Sequence, residues 1–452
     1  LGYGGSPLRT KEAAMTHLLR FDDLQAIFHH SIAHLPDHRK PSPNTRYTIQ
    51  DAALGAFGLF FTQSPSFLEY QRRLQHTQGR NNAQTLLGVE QIPCDNQVRT
   101  LLDPIAPSYL EPVFEEIFKG LEQHRLFDHF RVLGDHLLVA LDGTTYFSSK
   151  TIHCPNCLTR QLTNGQTLYY HTAITPVIVC PGRPDVIALP PEYIMPQDGE
   201  AKQDCEQQAG KRWLSKHAQA VAPHQMTLLG DDLYSKQPFC ALAQQQGLHF
   251  ILTCKPDSHP KFYERLAFWQ ANDGMAERAG RCWNGRFTAV TMYRYINDVL
   301  LRGGDDALSV NWFEITVVNA KTGEQLYHNS FITNHRLSAD NIAAVDALKD
   351  VQAQIVEREK VAESMEQIRH AFKQERYEDT LRMLYRLPSD MQRGDIERYK
   401  TNAWYNNGIN YLLGGNTVDA VRCFDEALTI NPRDQQALKL RSYSKTYSDR
   451  EK

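Results

Sequence analysis

Apolar positions recur at helical spacing over the first third of the chain. Leu24, Ile27, Phe28 and Ile32 share one helix face, and Tyr109, Leu110, Val113, Phe114, Ile117, Phe118 and Leu121 share another. Between them, Pro93-Cys94-Asp95-Asn96-Gln97-Val98-Arg99 reads as a helix start, with Asp95 or Asn96 suited to cap the first turn. At His136 the period changes. Leu137-Leu138-Val139-Ala140-Leu141 is wholly apolar and ends on Asp142-Gly143-Thr144, the pattern of a buried strand that presents a carboxylate at its end. Strands are predicted next over 168–179 and 185–189, then a helix over 200–218. A second buried strand, 226–230, again ends on acids, Asp231 and Asp232, and is followed by a helix (237–246) and a strand (249–253). Three more strands, 286–295, 312–319 and 327–333, come without helices between them; from Ser338 onward the pattern is helical.

Short apolar strands alternating with helices imply a mixed α/β sheet. The expected division is an extension over 1–14, a helical, DNA-binding or supporting domain over 15–135, an α/β domain over 136–345 with an inserted β-subdomain at about 281–333, and an all-helical module over 346–452. Such a division suits 452 residues, too many for one ordinary core. The Gly-, Pro- and Ser-rich start, Leu1 to Arg9, and the Met at position 15 favour reading 1–14 as an upstream extension or a cut end.

Composition is that of a soluble globular protein, 41% apolar and 22% charged. The longest apolar candidates, such as 52–61, are too short to cross a bilayer, so a cytoplasmic protein with no membrane partner is expected. A formal net charge of −3 argues against a strongly basic nucleic-acid binder, although an enzyme that grips DNA can confine its basic residues to one groove. Nine cysteines, scattered and odd in number, do not form a disulfide framework and point to a reducing compartment.

Two acids at the ends of two buried strands are what a two-metal phosphoryl-transfer site needs. Mg²⁺ takes hard oxygen ligands and keeps positions for water and phosphate. A pair of ions about 4 Å apart serves both the attacking and the leaving oxygen. An Asp followed by Gly also simply starts a turn. The surroundings add weight to the first alternative. Asp142-Gly143-Thr144-Thr145-Tyr146-Phe147, His153-Cys154-Pro155-Asn156-Cys157, Asp204-Cys205-Glu206, Gly230-Asp231-Asp232-Leu233-Tyr234 with Gln237-Pro238-Phe239, and Cys254-Lys255-Pro256-Asp257-Ser258-His259-Pro260 together resemble bacterial insertion-sequence transposases of the DDE class. The resemblance spans roughly 21–345. It implies an RNase H-like fold, Mg²⁺ or Mn²⁺ as cofactor, transposon-end DNA as substrate, a homodimer as one assembly, and DNA strand cleavage and transfer as the reaction. Carried over by position, Asp142 is the first catalytic aspartate and metal ligand and Asp231 the second, with Asp232 as the alternative. The family's third carboxylate lies on a helix after the β-insertion. Here Phe331 to Asn341 runs as the approach to that helix, and nothing in 346–369 matches; Glu357, Glu359, Glu363 and Glu366 form a solvated charge pattern instead. On that reading the chain is expected to bind DNA with impaired catalysis.

Cys154 and Cys157 form a C-x₂-C pair in a loop between strands, with His171 and Cys205 further on; soft thiolates and imidazole would suit Zn²⁺, and reduced, unliganded thiols are the alternative. Near the end, Trp404, Gly408, Tyr411, Ala420, Phe424, Ala427 and Pro432 resemble the signature of a tetratricopeptide repeat (TPR). Gly408 and Ala420 would let two helices approach, Trp404, Tyr411 and Phe424 would fill the gap, and Pro432 would end the second helix. Ala371, Tyr377, Leu384 and Leu387 suit a degenerate earlier repeat, and 437–447 a terminal solvating helix. Such a module implies a protein partner. Three functions follow: an active transposase with an unusual third ligand, a transposase-derived DNA-binding protein, or a repeat module joined by chance to a truncated transposase without enzymatic function.

Overall fold

The structure, a computed structural model, describes residues 20–40, 42–62, 67–75, 84–85, 87–89, 91, 93–183, 185–196, 205–221, 224–283, 286–342, 367–368, 370–372, 374–387 and 395–448. The expected extension over 1–14, Asp204, and the acids Glu357, Glu359, Glu363 and Glu366 lie outside them. The chain divides into two compact units, 1–347 and 348–452.

The first unit opens with helices α1 (Phe21–Ala33), α2 (Ile49–Phe61), α3 (Phe67–Gln75), α4 (Asp95–Leu102) and α5 (Glu111–Gln123). Their apolar faces meet in two small cores, one of Ile32, Leu54, Tyr70, Leu87 and Val89 and one of Ile49, Ala52 and Leu101. α2 starts on a reciprocal cap: the Thr48 hydroxyl accepts from the Asp51 N–H at 2.9 Å, and the Asp51 carboxylate accepts from the Thr48 N–H at 3.1 Å. α4 starts one or two residues earlier than a cap at Asp95 or Asn96 would place it. Cys94 holds the cap position without a side-chain bond, and Asp95 sits in the first turn, where its charge suits the helix dipole.

Thirteen strands follow among the described residues: β1 (Leu137–Ala140), β2 (Gly143–Ser149), β3 (Leu158–Gln161), β4 (Thr167–Ile174), β5 (Val177–Val179), β6 (Ile187–Ala188), β7 (Glu192–Ile194), β8 (Met226–Gly230), β9 (His249–Thr253), β10 (Ala276–Trp283), β11 (Thr288–Leu300), β12 (Ser309–Asn319) and β13 (Gln325–Thr333). Helix α6 (Glu206–Val221) precedes β8, α7 (Gln237–Gln245) precedes β9 and α8 (Pro260–Ala271) precedes β10. Nine strands form one mixed sheet, ordered β10-β11-β12-β13-β9-β8-β1-β5-β6. Within it β1/β8 and β8/β9 are parallel and the other pairs antiparallel. A second sheet is ordered β2-β4-β3, and β7 pairs with the end of β4, Thr172 to Ile174, beyond the stretch that β3 occupies.

The mixed α/β sheet is therefore present, and one expectation changes in detail. The segment 168–179 is not one strand. It breaks at Thr175 and Pro176, where the ring nitrogen cannot donate to a ladder, and its halves enter different sheets. The strands β10–β13, where an inserted β-subdomain was expected, continue the central sheet. Phe331, Ile332 and Thr333 pair with Thr253, Leu252 and Ile251, so the meander extends the central sheet. The core of this unit lies where α6, α7 and α8 cover the sheet: Leu137, Val139, Leu228, Phe250 and Ile332 from the strands meet Trp213, Phe239 and Phe262 from the helices. Glu192 on β7 ties the second sheet to α6, accepting from Arg212 Nε at 2.7 Å and Lys216 Nζ at 2.8 Å.

The second unit contains α9 (Tyr377–Leu384), α10 (Asp395–Leu413), α11 (Thr417–Ile430) and α12 (Gln435–Ser448). A Cβ at Gly408 would come within 2.8 Å of the Phe424 ring, so glycine there lets α10 and α11 close on each other. Ala420, Phe424 and Ala427 are fully buried in that contact. The polar tips of Trp404 and Tyr411 bond outside this helix pair: Trp404 Nε1 donates to the Tyr385 hydroxyl at 3.2 Å, and the Tyr411 hydroxyl donates to Glu378 at 2.6 Å. Among the described residues no helix is long and apolar enough to cross a membrane.

Candidate active site and metal centre

Adjacent parallel strands in register bring their ends level. Leu137 faces Met226 and Ala140 faces Leu229, and the Leu141 N–H carries the ladder one step further to the Leu229 carbonyl at 2.8 Å. Asp142 and Asp231 each stand two residues beyond the Ala140/Leu229 pair, at the same C-terminal edge of the sheet. Each carboxylate is held by its own turn: Asp142 Oδ1 accepts from the Gly143 N–H at 2.8 Å, and Asp231 Oδ1 from the Leu233 N–H at 2.8 Å. Atoms crowded round Asp231 push its carboxyl above the usual range; the Leu233 N–H opposes this, and the charges of Asp142 and Asp232 reinforce it.

Asp232, the alternative ligand, is committed elsewhere. Its Oδ1 accepts from the Lys255 N–H at 2.7 Å and its Oδ2 from the Ser258 hydroxyl, which ties the end of β8 to the loop after β9. Adjacent acids thus divide between a site and a brace.

Glu206, the first described residue of α6, joins Asp142 and Asp231. A Cβ on Gly143 would lie 2.4 Å from Glu206 Oε2, so the glycine after Asp142 makes room for this carboxylate as well as turning the chain. Burial raises the Glu206 carboxyl, the nearby Tyr234 hydroxyl lowers it, the charges of Asp142 and then Asp231 raise it, and the Gly143 N–H lowers it. The Tyr234 ring is itself fully buried, and a Cβ at Gly210 would sit 2.9 Å from it, so α6 packs tightly at this end. In the sequence Glu206 stands only as the end of the Asp204-Cys205-Glu206 stretch, with no role assigned to it. Its signal was a carboxylate opening a helix whose N-terminus could reach the strand ends.

Because the atom nearest a new Cβ at Gly143 is the tip of a flexible side chain, Gly143→Ala has a specific expected outcome. The carboxylate swings aside, stability falls by about 1 kcal/mol, and, on the metal-binding reading proposed for these acids, Mn²⁺ affinity falls. Urea denaturation and calorimetric Mn²⁺ titration measure the two quantities. Gly280→Ala, whose methyl would meet nothing, is the neutral control.

A second set of donors lies on the smaller sheet. Cys154 Sγ and Cys157 Sγ are 3.8 Å apart, and each is 3.3 Å from His171 Nε2. Among the described residues this is the one group in which three donors all lie within 4.8 Å of one another. Asp142, Asp231 and Glu206 do not all lie within that distance of one another. Cys205 falls outside the thiol–imidazole group, and none of the nine cysteines forms a disulfide.

Beside Asp232 a cleft of about 420 Å³ is lined by Lys236, Gln237, Ser258, His259 and Arg302 among others. Lys236 Nζ donates to the Ser258 carbonyl at 2.8 Å, keeping its charge at the cleft. No protein-family model and no curated protein matches the chain.

Proposed function

We propose that the first unit is a metal-dependent DNA-strand-processing domain related to DDE transposases, with Asp142, Asp231 and Glu206 as its acidic ligands. The observation that carries this reading is the level ending of β1 and β8 on Asp142 and Asp231, with Glu206 fitted against Gly143. An all-oxygen, all-anionic donor set suits Mg²⁺ or Mn²⁺, and mutual repulsion among the acids is what a bound cation would relieve. Ions held there would activate the attacking oxygen and stabilise the leaving one. The chain's own part is positional. Strand ends fix two carboxylates, α6 brings the third, and Asp232 braces the loop that carries Lys255 and Ser258. The cleft with Lys236 and Arg302 offers cations to a phosphate backbone, so a net negative chain can still bind DNA locally. Impaired catalysis was expected because no acid after β13 matches the family pattern; Glu206 supplies a carboxylate from another element. The close Gly408–Phe424 packing supports a TPR-type reading of the second unit, whose partner is a protein segment.

The test is nicking of supercoiled plasmid by the full chain with Mn²⁺ or Mg²⁺, beside calorimetric Mn²⁺ binding. Nicking well above an Asp142→Asn blank, lost equally in Asp231→Asn, is the expected result. Absence of both nicking and Mn²⁺ binding in the folded chain would sink the proposal.

A further inference from the structure

An imidazole nitrogen has one lone pair or one N–H. His171 Nε2 faces two sulfurs at the same 3.3 Å, which one hydrogen bond cannot satisfy. A cation at the centre of the three donors satisfies all of them. Their spacing also has the right size. With Zn–S of about 2.3 Å and Zn–N of about 2.0–2.1 Å, a tetrahedral site has an S···S edge of about 3.8 Å and S···N edges of about 3.5 Å. The observed triangle has edges of 3.8, 3.3 and 3.3 Å. The turn that presents the sulfurs is already organised: the Cys157 N–H donates to the Cys154 carbonyl at 3.1 Å, and the Cys154 N–H points at Cys157 Sγ at 3.4 Å. A backbone N–H aimed at a sulfur stabilises the thiolate form, as outer partners of metal ligands do.

We infer that Cys154 Sγ, Cys157 Sγ and His171 Nε2 bind one Zn²⁺, with the fourth vertex left to water or an exchangeable ligand. Two thiolates balance the charge of the ion, so a half-buried site carries no net charge. Among the described residues the group supplies three donors, and Cys205 is not a fourth. Cys154 is exposed and Cys157 buried, so the open vertex lies on the solvent side.

The ion's effect follows from the register. His171 pairs with Phe147 of β2, while the cysteines lie in the loop joining β2 to β3. Zinc therefore pins that loop to the middle of β4. Rings on both flanks hold the ligands in place: Tyr146 stacks on His171 at 5.8 Å, and His153 stacks on Tyr169 at 4.3 Å. β2 begins at Gly143, directly after Asp142, so the zinc stiffens the sheet that leads out of the acidic site without touching that site. The inference stands whether or not the acidic site processes DNA.

The test uses the full chain, carrying Asp142→Asn to remove the acidic site's own metal affinity and purified without chelator. A single equivalent of zinc by elemental analysis is expected, with Co²⁺ exchange giving the visible bands of tetrahedral cobalt–thiolate. Cys154→Ser, Cys157→Ser and His171→Ala should each lose the metal, and Cys205→Ser should retain it. Chelation should lower the melting temperature by several degrees in the parent and leave the double Cys→Ser variant unmoved. Should the variants fail to fold, alkylation of the intact parent decides the matter: zinc protects Cys154 and Cys157, and chelator exposes both. A folded parent without zinc or cobalt uptake, or one whose metal survives loss of both cysteines, overturns the inference. Metal loss in Cys205→Ser would overturn the open fourth vertex.

Discussion

Replacing Glu206 by glutamine is expected to lower metal-dependent plasmid nicking by about 10²–10³-fold. The amide keeps the shape that fits against Gly143 and removes the charge that faces Asp142 and Asp231. Mn²⁺ affinity should fall by at least about tenfold, which is 1.4 kcal/mol. Stability without metal should move the opposite way. Burial and two neighbouring acids hold the Glu206 carboxyl above its ordinary range, so its charged form costs folding free energy at neutral pH. A neutral isostere escapes that cost, and the melting temperature of the metal-free chain should rise. Loss of function with gain of metal-free stability is the mark of a ligand; a structural acid would lose both. Asp232→Asn should show the reverse pattern. It weakens the bonds to the Lys255 N–H and the Ser258 hydroxyl, costing about 1–2 kcal/mol, with Mn²⁺ affinity changed only a few-fold. Full Mn²⁺ affinity and full nicking in the Glu206 variant would return the third ligand to some other acid.

What could be read from the sequence tracks burial. β1 and β8 are buried on both faces, so their sequences are uninterrupted apolar runs leading into acids; β8 has the expected bounds and β1 stops one residue short, at Ala140. β10 is exposed along its whole length, and β2 has exposed and half-buried residues with none fully buried. Neither carries an apolar alternation, so no period marked them. The helix over 260–271 escaped for a related reason: among its described residues only Phe262 and Leu266 are buried, too few for a clear stripe. Local chemistry was legible where ligands are near in sequence. The C-x₂-C pair and His171 do meet, because a short hairpin separates them; Cys205, beyond three more strands, does not join them. Glu206 needed tertiary knowledge. Its place depends on where α6 starts relative to strand ends far away in the chain. Asp231 and Asp232 were indistinguishable in sequence because the turn after β8, not the strand pattern, sends one into the site and the other to Lys255.

At the opposite edge of the same strands, acidification below about pH 6.5 is expected to destabilise the sheet through a cluster of buried histidines. His136 precedes β1, His249 opens β9 and His335 follows β13, and their rings pack with centroids 4.8, 4.9 and 4.3 Å apart. The buried Thr227 hydroxyl sits between His136 Nδ1 at 3.0 Å and His335 Nε2 at 2.9 Å. Burial first, then the charges of His249 and His136, bring His335 down to about 3; His136 and His249 are lowered too, chiefly by burial. An unfolded histidine titrates near 6.5. With the folded values depressed, stability is complete above about pH 6.5 and is lost as pH falls toward the folded values, because only the unfolded chain takes up the protons. His335 alone then costs about 2 kcal/mol at pH 5, at 1.36 kcal/mol per unit below 6.5. The neighbouring histidines add to this. Urea denaturation followed by tryptophan fluorescence reports on this core, since Trp213 and Trp312 are buried in it. Between about pH 7 and pH 5 the parent should lose stability steeply, and His335→Gln, which keeps a hydrogen-bonding group beside Thr227, should lose about 2 kcal/mol less. Parallel curves for parent and variant would mean that His335 is protonated in the folded chain and that the cluster does not govern acid stability.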